Sequence, residues 1–144
     1  MHRVVALLIL GVLGCASLPG RADDQDVIDY RTHIMNTMGE QMGAIGLILD
    51  NKVPADNLAT HLNVLAVTAT QAKKAFEPKV PGGNAKPEVW KDWADFSKRL
   101  DDLVAATAEL AAAAQHESAA ALGGKMGSTL KCKSCHDTYR KPLK

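Results

Sequence analysis

Three stretches of this 144-residue chain space their apolar residues by alternating threes and fours, and proline and glycine separate the stretches. In the first, Ile28, Met35, Met38, Met42, Ile45 and Leu49 keep the spacing, with Arg31 in the remaining slot. Leu58, Leu62, Leu65, Ala69, Ala72 and Phe76 keep it in the second. Val89, Trp93, Phe96, Leu100, Leu103, Thr107, Leu110 and Ala114 keep it in the third. Side chains three or four residues apart return to one face of an α-helix, so each stretch reads as a helix turned toward a common core. No segment shows sustained two-residue alternation, and an aromatic content of 4% also suits helices better than a sandwich.

The breaks are equally readable. "DNKVPADN" (50–57) puts Pro54 where a first helical turn begins, and "EPKVPGGNAKP" (77–87) is a loop, with Pro87 at the next helix start. A softer break falls at "QHES" (115–118). A fourth helix is expected over about 117–141. Gly123, Gly124 and Gly127 each cost it about 1 kcal/mol relative to alanine, which fits a neighbouring helix or a flat ligand close to the backbone. The alternative is a helix that starts only near Ser128. Either way Thr129, Cys132, Cys135, His136 and Tyr139 share one helical side. The expected fold is all-α, an antiparallel four-helix bundle over 23–144, and the length suits a single core.

Residues 1–22 read as an export signal: basic His2 and Arg3, an apolar run from Val4 to Gly14, then Pro19, Gly20 and a cleavage residue at Ala22. A run of about 11 residues is too short to span a bilayer. Removing the signal leaves 15 basic against 16 acidic residues, a formal charge of −1, with no basic stripe for nucleic acid. "VLGC", ending at Cys15, loosely resembles a lipobox, and lipid anchoring there is the minor alternative to cleavage near Ala22.

The remaining two cysteines form "CKSCH", Cys132-x-x-Cys135-His136. A thioredoxin-like redox pair wants a strand before its helix, and no strand is readable here. A structural zinc site wants four ligands, whereas His33, His61 and His116 lie singly on other segments. A Cys132–Cys135 disulfide suits an exported chain but closes a loop too small to stabilise much. Covalent haem c explains every residue at once. Two thiols at i and i+3 form thioethers with the haem vinyl groups, and a histidine at i+4 reaches the iron from the same helical face.

The placement of the motif on the last helix carries a resemblance. "CKSCHDTYRK" at the C-terminus and "IDYRTHIMNTMGEQMGAI" (28–45) in the first helix resemble the cytochrome c prime family, the class II c-type cytochromes. The likeness spans about residues 24–141, with CxxCHxxxR (Cys132 to Arg140) and RxxxM (Arg31 to Met35) as its specific parts. It implies one covalent haem per chain, attached to the C-terminal helix. Arg31, the odd member of its apolar row, needs an anionic partner or an escape to solvent; the resemblance places it by a haem propionate, and a local pairing near Asp29 is the alternative. The resemblance also implies that Arg140 flanks the axial His136 on its proximal side. Homodimers through the first two helices occur in the family.

The family contains two types, and the residue at the Met35 position separates them. A methionine bonded to iron gives a low-spin electron carrier; a residue that only covers the distal face gives a five-coordinate, high-spin gas binder. The polar, glycine-bearing surroundings of Met35 favour the first. Met38 and Met42 share its stripe as fallback ligands, and His33 lies on another face. The expected function is therefore a periplasmic electron carrier. His136 and Met35 are its axial ligands, it exchanges single electrons with redox proteins, and it transforms no substrate itself. The alternatives are a high-spin protein binding nitric oxide or carbon monoxide, and a haem-free interaction bundle with a disulfide.

Overall fold

A computed structural model describes residues 23–143. The expected export signal, residues 1–22 with Cys15, lies outside the described residues, as does Lys144. Six helices follow in order: α1 (Asp24–Leu49), α2 (Leu58–Phe76), α3 (Glu88–Lys91), α4 (Trp93–Ala113), α5 (Ala119–Thr129) and α6 (Cys132–Tyr139). α1, α2, α4 and the jointed arm α5–α6 are the four limbs of an antiparallel bundle. Among the described residues no helix is long and apolar enough to cross a membrane.

α1 starts where its sequence can satisfy its own free amides. The Asp23 side chain accepts from Asp26 N–H at 2.8 Å, and the Asp26 carboxylate accepts from Asp23 N–H at 3.2 Å. These reciprocal bonds use up donors that a helix start leaves unpaired. Asn51, at φ +57°, ends the helix, a conformation that asparagine tolerates better than most residues. α2 follows a single 3-10 turn over Ala55–Asn57, just after Pro54.

The apolar rows become the core. All six members of the α2 row are buried, joined by Ala75. Met38 and Ile45 of the α1 row are buried, together with Ile48, which the row omitted. Phe96 of α4 binds the aromatic end of the core, with its centroid 5.1 Å from Phe76 and 5.0 Å from Tyr139, both edge-on.

Two helices depart from expectation. The third segment breaks at Asp92 (φ −117°, ψ 52°), so α3 is a single turn, although Phe96 N–H still donates to Asp92 O at 3.0 Å. The fourth segment starts at Ala119, capped by Ser118 Oγ, and not near Ser128. It then breaks at Leu130, which is extended at ψ 119°. Thr129 therefore closes α5 and does not share a helix with Cys132. The arm packs more sparsely on α1 and α4 than α2 does.

Candidate haem site

α6 presents Cys132, Cys135 and His136 within a helix of eight residues. Cys132 is exposed and Cys135 is half-buried against the core, and both are free thiols. Burial pushes the Cys135 thiol above its ordinary range. A redox-active dithiol needs the opposite shift, toward thiolate, so the environment argues against a thioredoxin-like role. Among the described residues no three His, Cys, Asp or Glu side chains gather as a metal site, which leaves the zinc reading without partners.

His136 is half-buried. Burial lowers its basicity first and the Arg140 charge adds to this, against a smaller pull from Asp137. The ring is neutral near pH 7, the form that binds a metal. Arg140 lies where α6 ends: its N–H donates to His136 O at 2.9 Å, and its backbone pairs antiparallel with Ala85.

One edge of α1 carries Ile28, Met35, Met42 and Leu49, each seven residues from the next and each half-buried. The outer pair is covered. Ile28 lies against Gly82 and Gly83, and Leu49 lies 3.4 Å from where a Gly123 Cβ would stand. The inner pair, Met35 and Met42, is flanked by Gly39 and Gly46, where an added Cβ would meet nothing within 4 Å. Gly124 and Gly127 on α5 are equally open. Gly39, Gly124 and Gly127 are exposed and Gly46 is half-buried, so the α1 edge beside Met35 and Met42 is open, and the α5–α6 arm packs sparsely. Two thiols and a neutral imidazole on α6 are the donor set that covalent haem needs. Met38 is buried in the core and His33 is exposed, so neither competes with Met35 for this edge. The depressions at the α1–α2 turn, lined by residues such as Leu47, Val53 and His61, include none of these side chains.

Arg31, one turn before Met35, is 3% exposed. Its Nη1 donates to Val80 O at 2.6 Å and its Nη2 to Gly82 O at 2.7 Å. The guanidinium lies 5.6 Å from the Phe76 ring and 5.1 Å from the Trp90 ring, a desolvated cation–π sandwich. Asp29 is no partner, since its carboxylate accepts from Gln25. Two backbone carbonyls thus answer part of the demand that an anion was expected to meet, and three of the five guanidinium hydrogens stay free of them.

Sequence reasoning took Trp90 as packing and missed its place over Arg31, and it missed Asp95 and Arg99. Trp90 Nε1–H donates to Phe76 O at 2.9 Å while its ring covers Arg31. The Tyr139 hydroxyl donates to Asp95 Oδ2 at 2.5 Å, and Arg99 Nε–H donates to the same oxygen at 2.6 Å. Asp95 is held below the usual carboxylate range, by Tyr139 first and Arg99 second, while burial and Asp95 push the Tyr139 hydroxyl well up. The i, i+4 pair Asp95–Arg99 was readable in the sequence; its third member, 44 residues away, was not.

The comparisons agree with this geometry. The family model described as Cytochrome C' matches residues 26–140. A cytochrome c' from Rhodopseudomonas palustris is 33% identical over 147 residues, covering 96% of this chain and 95% of that protein. A nitric oxide complex of a variant of cytochrome c prime from Alcaligenes xylosoxidans superposes with a TM-score of 0.74 at 29% identity, over 85% of this chain and 100% of that one. A carbon monoxide-bound variant of the same protein gives 0.74 at 29% identity, over 84% and 98%. Members of this family carry haem c covalently, one per chain, as the α6 donor set requires. The chain belongs to the cytochrome c prime family.

Proposed function

We propose that this chain is a periplasmic gas-binding cytochrome. Cys132 and Cys135 are its haem thioether anchors, His136 is the one protein ligand to iron, and Met35 covers the distal face without bonding to it. The observation that carries the reading is the α6 donor set of Cys132, Cys135 and His136, with Met35 on the open edge of α1. When bound, haem c supplies an iron that takes a small diatomic gas at its free position and exchanges single electrons. The chain's residues do the rest. Burial keeps His136 neutral for coordination, and Met35 and Met42 make the distal wall apolar and exclude water. Arg31 offers its remaining hydrogens to a propionate, and Arg140 flanks His136.

The solved relatives with nitric oxide and carbon monoxide support this reading over the electron carrier. The carrier is the second reading, because Met35 itself lies on the open edge of α1. Under either reading the protein transforms no substrate and meets redox proteins as donor and acceptor. A homodimer through α1 and α2, which the resemblance to the family suggests, is part of this reading.

Titration of the reduced, haem-loaded protein with nitric oxide tests the proposal. One equivalent should bind per haem, and the oxidised protein should give a high-spin paramagnetic resonance signal. A low-spin signal with no uptake of gas would favour the carrier, and a chain that acquires no covalent haem would overturn both.

A further inference from the structure

The segment 80–86 touches both α1 and the end of α6. At its α1 end it supplies the two carbonyls that hold Arg31, and it lies directly on Ile28. Gly82 and Gly83 adopt φ of +142° and +54°. A Cβ at Gly82 would come within 2.5 Å of Ile28 Cδ1, and one at Gly83 within 3.0 Å of Ile28 Cγ2. Glycine permits both the backbone conformation and the approach.

At its α6 end the segment is tied to the residues that follow His136. Lys86 N–H donates to Tyr139 O at 2.9 Å, and Lys141 N–H donates to Asn84 O at 2.8 Å, on either side of the Ala85–Arg140 bridge. Two side chains reinforce the junction. Lys86 Nζ donates to Asp137 O at 2.9 Å, and Lys141 Nζ donates to Gly83 O at 2.9 Å. α1 and α6 themselves share at most marginal contact. The segment thus bridges them directly, from Ile28 and Arg31 on one side to Asp137, Tyr139 and Lys141 on the other, beside the Tyr139 contacts with α4.

We propose that residues 80–86 are a strap that sets the spacing between α1 and α6 around the haem. Ile28, Arg31 and Gly83 are its positioning residues, and they set how closely Met35 approaches the distal face. The inference rests on the haem reading above. A tight strap holds α1 toward α6 and keeps Met35 over the gas-binding position. A loosened strap lets the sparsely packed α6 arm swing away from α1 and opens that position, with no change in any residue that touches the haem.

Gly83→Ala tests it, because alanine accepts φ +54° at modest strain while its methyl pushes the strap off Ile28. In the haem-loaded protein the carbon monoxide association rate should rise by about threefold or more, as misplacing a side chain over a reacting atom does. The amide hydrogens of Lys86 and Lys141 should exchange faster. Adding Ile28→Ala removes the clashing methyl and should return both readouts toward native. Lys86→Ala with Lys141→Ala, which cuts the side-chain ties outside the core, should raise the rate in the same direction. Leu62→Ala, near the start of α2, should lower stability and leave the rate unchanged.

Native rates and native exchange in folded Gly83→Ala and in the lysine pair would overturn the strap. So would a Leu62→Ala rate change as large as theirs. If the unsubstituted protein acquired no haem or bound no carbon monoxide, the haem reading would fall instead, and the exchange of Lys86 and Lys141 would still decide whether the strap exists.

Discussion

Cys132 and Cys135 sit one turn apart on α6 yet meet different surroundings, one exposed and the other half-buried. Each should form its own thioether. Cys132→Ala should leave the haem attached through Cys135 alone, with the reduced absorption band moved to longer wavelength because one vinyl group stays conjugated. A wild-type spectrum from that variant would contradict the assignment. Tyr139 makes a second prediction. Its hydroxyl is the leading cause that holds Asp95 acidic, so Asp95 is more acidic folded than unfolded. Its stabilising contribution is full above the unfolded carboxylate value near ~3.9 and is lost as pH falls through the lower folded one. Tyr139→Phe should shrink that acid-side loss and leave the neutral-pH spectrum intact, as melting curves against pH would show. The α6 donors were legible in the sequence because their geometry is local, fixed by spacing on one helix. The partners of Arg31 were not, since Val80 and Gly82 lie 49 and 51 residues away and offer only backbone.

The helices differ in how much of their stability comes from their neighbours. α2 buries a full apolar row against α1 and α4, whereas α5 and α6 are short, sparsely packed and jointed at Leu130. Helices of this length are marginal alone. Hydrogen exchange on the haem-free chain should show α1, α2 and α4 protected and α5 and α6 open, with haem attachment closing the last two. Uniform protection without haem would contradict this. Ser118→Ala, which removes the α5 cap, should cost about 1 kcal/mol of folding stability in a chemical melt. The rows predicted α1, α2 and the body of α4 well, because a buried face leaves a period in the sequence. The joints at Asp92 and Leu130 carry no such period. The apolar row runs through Asp92 unbroken, and neither proline nor glycine marks Leu130.

At the scale of the whole molecule, the bundle is a firm three-helix frame with an arm that bears the haem anchors. Leu62, fully buried on α2, belongs to the frame, and Leu62→Ala should lower global stability by about 2–5 kcal/mol. Met35 lies on the frame and His136 on the arm, so the function turns on whether the methionine sulfur bonds to iron. Both family types were legible from the motifs. Which one applies was not, because a methionine on a helix edge looks the same in sequence whether it is a ligand or a wall. The most direct measurement is the optical spectrum of the haem-loaded protein, oxidised and reduced, with and without carbon monoxide. The account expects a broad high-spin spectrum that shifts on adding the gas. A low-spin spectrum that ignores carbon monoxide and shows the methionine-to-ferric-iron charge-transfer band would contradict it.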